Sequence, residues 1–154
     1  MPQDAAPPFR YGRAVVAFLV SYIGVTPLAL GLYFIIAASM GIDLSAEFNI
    51  REDNAYALAE RLYPILNLLV WTPCAWIYFR GRTALHYKEA LKLGGFWLAI
   101  AVPLDLLAFV LIENPLSVSA EGFYIEQFPW IYLTYAAVFA APLCFVELAK
   151  RFRQ

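Results

Sequence analysis

The chain has 154 residues, of which 62% are hydrophobic, 17% aromatic and only 15% charged. That length suits one domain, but ordinary soluble domains are about 45–50% apolar and about 25% charged, so a water-soluble fold is excluded in favour of a membrane one. The formal net charge of −1 lacks the basic excess that binds nucleic acid, and no polar low-complexity tract marks a disordered chain.

Crossing the hydrocarbon core takes about 20 apolar residues in a helix, and four stretches supply them. The first, Ala14 to Ile42, follows Arg10 and Arg13 and contains Pro27 and Tyr33. It is far longer than a secretory signal core of roughly 7 to 15 residues, so it reads as a retained helix. An acidic loop follows, with Asp43, Glu47, Glu52, Asp53 and Glu60. Within it Asp53 is placed to cap a helical turn entering at Asn54. The apolar side formed by Tyr56, Leu58, Leu62 and Tyr63 either lies on the membrane surface or extends the second helix.

The second stretch, Leu62 to Phe79, carries Pro64, Asn67, Trp71, Pro73 and Cys74 and runs into a basic loop with Arg80, Arg82, His86, Lys88 and Lys92. The third, Leu91 to Ile112, carries Gly94, Pro103 and Asp105, and a second acidic loop follows with Glu113, Glu121 and Glu126. The fourth, Phe128 to Leu148, holds Thr134, Pro142, Cys144 and Glu147 and ends in Lys150, Arg151 and Arg153.

Backbone groups in lipid must be satisfied internally, and barrel strands would be shorter and alternating, so these stretches read as helices. The expected fold is an all-α, polytopic four-helix bundle forming a single membrane domain. Nine of the eleven basic residues fall on one side of such a bundle, leaving only Arg51 and Arg61 on the other. Because Lys and Arg are retained inside the cell, both termini and the Arg80 to Lys92 loop are expected in the cytoplasm. The short loops, and the lack of a glycosylation sequon at Asn49, Asn54, Asn67 or Asn114, point to a bacterial inner membrane. Trp76, Tyr78 and Trp97 read as the inner aromatic belt, and Tyr63, Trp130 and Tyr132 as the outer one. Trp71 lies too deep for either.

The two halves echo one another. Pro27-Leu28-Ala29-Leu30 answers Pro103-Leu104-Asp105-Leu106, and Ser45-Ala46-Glu47-Phe48-Asn49-Ile50 answers Ser119-Ala120-Glu121-Gly122-Phe123-Tyr124-Ile125. Either a tandem duplication of two hairpins, parallel about the membrane normal, or the recurrence of common residues accounts for the match.

Asp105 is the polar residue that demands a reason. An ionised carboxylate at a helix centre costs roughly 2.5 to 3.5 kcal/mol, so such groups usually face a partner, a cavity or water. Counting about 1.5 Å per residue from the outer ends of the helices brings Asn67, Thr134 and Tyr33 to the level of Asp105. One polar layer is therefore expected, made of Asp105, Asn67, Thr134 and Tyr33. Either it binds and releases a proton or cation, or it is a structural tie made through Asn67. Leu98, Ala101, Asp105 and Ala108 share a helix face, and Gly94 extends its small residues toward a close neighbour.

Enzyme chemistry finds little footing. A Gly-rich phosphate loop, a His-rich metal set and a Ser-His-Asp arrangement are all lacking, and Asp105 has no second intramembrane acid for acid and base roles. Catalytic residues, metal ligands and cofactors are therefore not expected. Cys74 and Cys144 read as packing residues, His86 as a solvated loop residue, and Glu147 as a partner for Lys150 and Arg151 one turn on. The leading expectation is a non-enzymatic membrane component, either an interacting subunit or a small carrier working as a homo-oligomer, in contact with membrane lipids and not with nucleic acid. The alternatives are a membrane enzyme acting on a lipid or quinone, with Asp105 and Tyr33 or Tyr135 near the substrate, and a pure scaffold.

Overall fold

A computed structural model of the chain describes residues 8–42, 54–112 and 119–152. Among these residues every regular element is helical: α1 (Tyr11–Ser39), α2 (Asn54–Phe79), α3 (Tyr87–Asp105) and α4 (Trp130–Arg151). All four are long and apolar enough to cross a membrane, with α3 counted through its continuation to Leu111. Of the most apolar part of each, only 22–28% of residues are buried inside the bundle. The rest, including Ile23, Ile35, Ile65, Leu69 and Leu133, point outward. A water-soluble protein rarely exposes so large an apolar surface. A lipid-embedded bundle has no reason to hide it.

The helices run up and down. Arg10 and Arg13 at the start of α1 reach Arg80 at the end of α2, and Tyr87 at the start of α3 reaches Glu147 near the end of α4. The basic residues of the described chain therefore gather at one end, and Arg61, placed 6.0 Å from the ring centroid of Trp130, marks the other. Helix α2 packs chiefly on α1 and α4, α4 also packs on α3, and α1 meets α3 more lightly. The sequence-adjacent pair α2 and α3 packs less than any of these.

Two clusters form the core. The larger, toward the basic end, is built around Phe18, Trp71, Tyr78, Leu93, Trp97 and Val146. Trp71 meets Phe18 and Trp97 edge to face, with centroids 5.3 and 5.1 Å apart, the geometry that aromatic quadrupoles favour. The Trp97 indole donates to the Ala14 carbonyl at 3.0 Å. Trp97 is thus a fully buried core residue and not the belt residue its position in the sequence implies, because that hydrogen bond and the Trp71 ring hold it inward. The smaller cluster, at the far end, joins Tyr33, Ile36 and Ala37 of α1 to Ala55 and Ala59 of α2. These contacts settle the Asn54 to Arg61 segment as an extension of the second helix. Asp53, the acidic residues Asp43, Glu47, Glu52 and Glu113, and the first loop of the internal echo lie outside the described residues.

Helix ends also differ from the apolar runs. The first helix starts at Tyr11 and stops at Ser39, the second begins eight residues earlier than Leu62, and the fourth runs from Trp130 to Arg151. Hydropathy marks the oily part of a helix, whereas hydrogen bonding continues into polar turns until a residue such as Gly41, with φ +71°, ends it.

Candidate functional site

Helix α3 changes character at Asp105. Pro103 lacks an N–H and cannot bond the carbonyl four residues back. From Leu106 to Leu111 the chain winds as a π-helix, closed by the Ile112 N–H donating to the Leu107 carbonyl at 3.0 Å, five residues earlier. Such widened turns are rare and often sit at functional positions. Here the turn begins directly after the intramembrane acid. The next π-helical turn, Gly122–Glu126, stacks its Phe123 on Phe109 with centroids 5.8 Å apart, tying the two wide turns together.

Both carboxyl oxygens of Asp105 accept hydrogen bonds from tyrosines on other helices. The Tyr22 hydroxyl of α1 donates to Oδ1 at 2.6 Å and the Tyr135 hydroxyl of α4 donates to Oδ2 at 3.0 Å. Asp105 is thereby the junction of α1, α3 and α4. Tyr124 approaches the Tyr135 hydroxyl and continues the polar line toward the end away from the basic residues. In the other direction the line is blocked, since Tyr22 stacks on Phe18 at 5.6 Å and Phe18 abuts Trp71 and, through it, Trp97. Asp105 itself is half-buried, neither sealed in the core nor fully open.

The other residues of the expected layer lie elsewhere. Asn67 donates its Nδ2 to the Tyr63 carbonyl at 2.9 Å and accepts the Trp71 indole N–H on Oδ1 at 3.0 Å. It anchors the aromatic cluster from α2. Tyr33 is buried in the far cluster beside Tyr56, eleven residues and about 16 Å along α1 from Tyr22. Thr134 is half-buried on α4, and its neighbour Tyr135 provides the bond to Asp105 instead. The structure therefore brings Asp105 together with Tyr22 and Tyr135, and none of Asn67, Thr134 or Tyr33 hydrogen-bonds it.

With Tyr22 bonded to Asp105, α1 extends well beyond the end of the α3 continuation at Leu111, so a count from the outer ends mismatches Tyr33, whereas Asn67 is turned to the aromatic cluster. Tyr135 was recognisable as an alternative partner, while Tyr22 carried no signal beyond being a phenol in the middle of a span. A second group was also missed. Arg82 and Glu89, with side chains 6% and 4% exposed, pair at 2.5 Å, and the Tyr78 hydroxyl donates to the same Glu89 oxygen at 2.8 Å. The available clue was that Glu89 is the one acid in the basic Arg80 to Lys92 loop.

One further reading of the sequence, the Glu147 ion pair, holds in the geometry. Glu147 accepts from Arg151 Nε at 2.9 Å one turn on, and Cys74 and Cys144 are free thiols. Among the described residues no group of His, Cys, Asp and Glu is placed to hold a metal ion. Compared with protein-family models, curated proteins and solved structures, the chain matches none.

Proposed function

We propose that this chain is a non-enzymatic membrane component that works as a small oligomeric carrier, with Asp105 as the site that binds and releases a proton. The observation that carries this reading is the setting of the carboxyl group. It lies within a membrane-spanning helix, has no basic partner among the described residues, and is held by two phenols that can accept or donate as its proton comes and goes. The π-helical turn beside it gives α3 a place to rearrange. Four helices enclose little aqueous volume, which is the reason to expect more than one copy in the working unit.

The test is proton entry into vesicles containing the purified chain and an internal pH dye, driven by an imposed membrane potential. The wild type should acidify the interior, and Asp105→Asn, incorporated to the same level, should not. Equal rates for the two would reject the reading.

A second reading has its own support, since Tyr22 and Tyr135 already satisfy both carboxyl oxygens. On that reading Asp105 is an interhelical tie in a scaffold or interacting subunit. It predicts no proton entry in either protein, loss of stability in Asp105→Leu, and retention of the function of whatever assembly contains it.

A further inference from the structure

At the basic end the arginines outnumber the carboxylates that face them. The chain leaves α2 through Arg80, Gly81 and Arg82, with Gly81 at φ +76°, a conformation that suits glycine. Arg82 turns inward, where its Nη2 donates to the Pro8 carbonyl at 2.8 Å and to Glu89. Arg10 and Arg13 both direct Nη1 at the backbone carbonyl of Arg80, and the Arg80 guanidinium stands over the Trp76 ring, 5.0 Å from its centroid. Among the described residues the ion pairs are Arg82 with Glu89 and Arg151 with Glu147. Arg10, Arg13 and Arg80 therefore crowd one turn with no carboxylate partner among those residues, an arrangement that favours an added anion.

A groove of about 350 Å³ opens beside the turn, lined by Trp76, Phe79, Arg80, Arg82, Phe145 and Phe152. The Nε of Arg82 is buried and has no hydrogen-bond partner among the described residues. The aromatic wall continues outward, since Trp76 is 50% and Phe152 88% exposed. A free phosphate would satisfy the arginines and leave the aromatic wall unused. A phospholipid has a use for both, because its phosphate accepts charge-assisted bonds from guanidinium groups and its acyl chain covers apolar rings.

We infer that this groove binds an anionic phospholipid, with the phosphate at the Arg80 to Arg82 turn and an acyl chain along Trp76 and Phe145. The location fits, since the groove lies where the apolar spans end and headgroups begin, and basic pockets between membrane helices take anionic headgroups. The proposal requires that the chain sits in a bilayer and is independent of any role for Asp105.

The test places the full chain in nanodiscs of phosphatidylcholine that carry a minor fraction of phospholipid brominated on its acyl chain, either phosphatidylglycerol or phosphatidylcholine. Quenching of Trp76 is obtained by subtracting the signal of Trp76→Phe. Brominated phosphatidylglycerol should quench at a much lower fraction than brominated phosphatidylcholine. Arg13→Gln with Arg80→Gln should raise the fraction needed about 25-fold, at about five-fold per arginine, and added inorganic phosphate should leave the quenching unchanged. Equal quenching by the two lipids overturns the proposal, as does a preference that survives the double substitution. Abolition of quenching by inorganic phosphate also overturns it, by making the site one for free anions. Should the double variant fail to incorporate, the comparison of the two lipids on the wild type decides alone.

Discussion

Gly94 and Gly95 are neighbours on one helix, yet replacing them with alanine should have opposite effects. A Cβ built on Gly94 falls 2.4 Å from the Phe139 carbonyl oxygen of α4 and 3.1 Å from a Phe139 ring carbon, whereas one built on Gly95 meets nothing within 4 Å. Relieving the Gly94 contact to an ordinary separation requires the α3 and α4 backbones to part by on the order of 1 Å, the kind of overpacking that costs about 1–3 kcal/mol. Alanine also gains about 1 kcal/mol over glycine in a helix. For Gly94→Ala the clash dominates, because the obstacle is backbone and cannot rotate away, and a loss of up to about 2 kcal/mol remains. For Gly95→Ala the propensity gain stands unopposed. Reversible unfolding of both variants in mixed micelles by added denaturing detergent gives the two values directly. Equal effects, or a stabilised Gly94→Ala, would refute the close approach of α3 to α4 on which the placing of Asp105 against Tyr135 depends.

Other substitutions probe the polar groups in the same assay. Tyr22→Phe and Tyr135→Phe each remove one donor from Asp105 and should cost about 0.6–1.7 kcal/mol, and a double-mutant cycle of either with Asp105→Asn should show coupling of that order. Asn67→Leu strands the Trp71 N–H and should cost about 1–3 kcal/mol. Its cycle with Asp105→Asn should be additive to within about 0.5 kcal/mol, and a larger coupling would restore the polar layer expected from the sequence. Glu89→Gln leaves the buried Arg82 without its counter-charge and should cost about 3–5 kcal/mol, while Arg82→Met combined with Glu89→Leu should recover most of that.

The sequence disclosed the helices far better than their partners. Four apolar runs of sufficient length, separated by loops of opposite charge character, leave little choice but four spans, and Gly94 announces a close contact by its size alone. Asp105 was conspicuous because a carboxylate in lipid needs a reason. Its partners were not, because a linear count gives depth only once the true helix ends are known, and it gives no rotation about the axis. Asn67 shows the second failure, being polar and within a span but facing the aromatic cluster from α2. Tyr33 shows the first, being counted down from an end of α1 that reaches further than the end of the α3 continuation. Tyr22 lay hidden for a chemical reason, since tyrosine is common at membrane boundaries and its hydroxyl matters in mid-span only when an acceptor on another helix comes within reach. Arg82 and Glu89 were hidden because a basic loop at a membrane surface does not say which of its charges turn inward, Glu89 standing out only as the single acid among them.

Infrared difference spectroscopy of the chain in lipid tests whether Asp105, held by Tyr22 and Tyr135, exchanges a proton as proposed. On stepping the pH the wild type should show a protonated-carboxyl stretching band that grows and fades reversibly, is missing in Asp105→Asn, and moves in frequency in Tyr22→Phe and Tyr135→Phe as a hydrogen bond is lost. A band that persists in Asp105→Asn, or an Asp105 signal that never changes between the lowest and highest pH the fold withstands, would contradict the account.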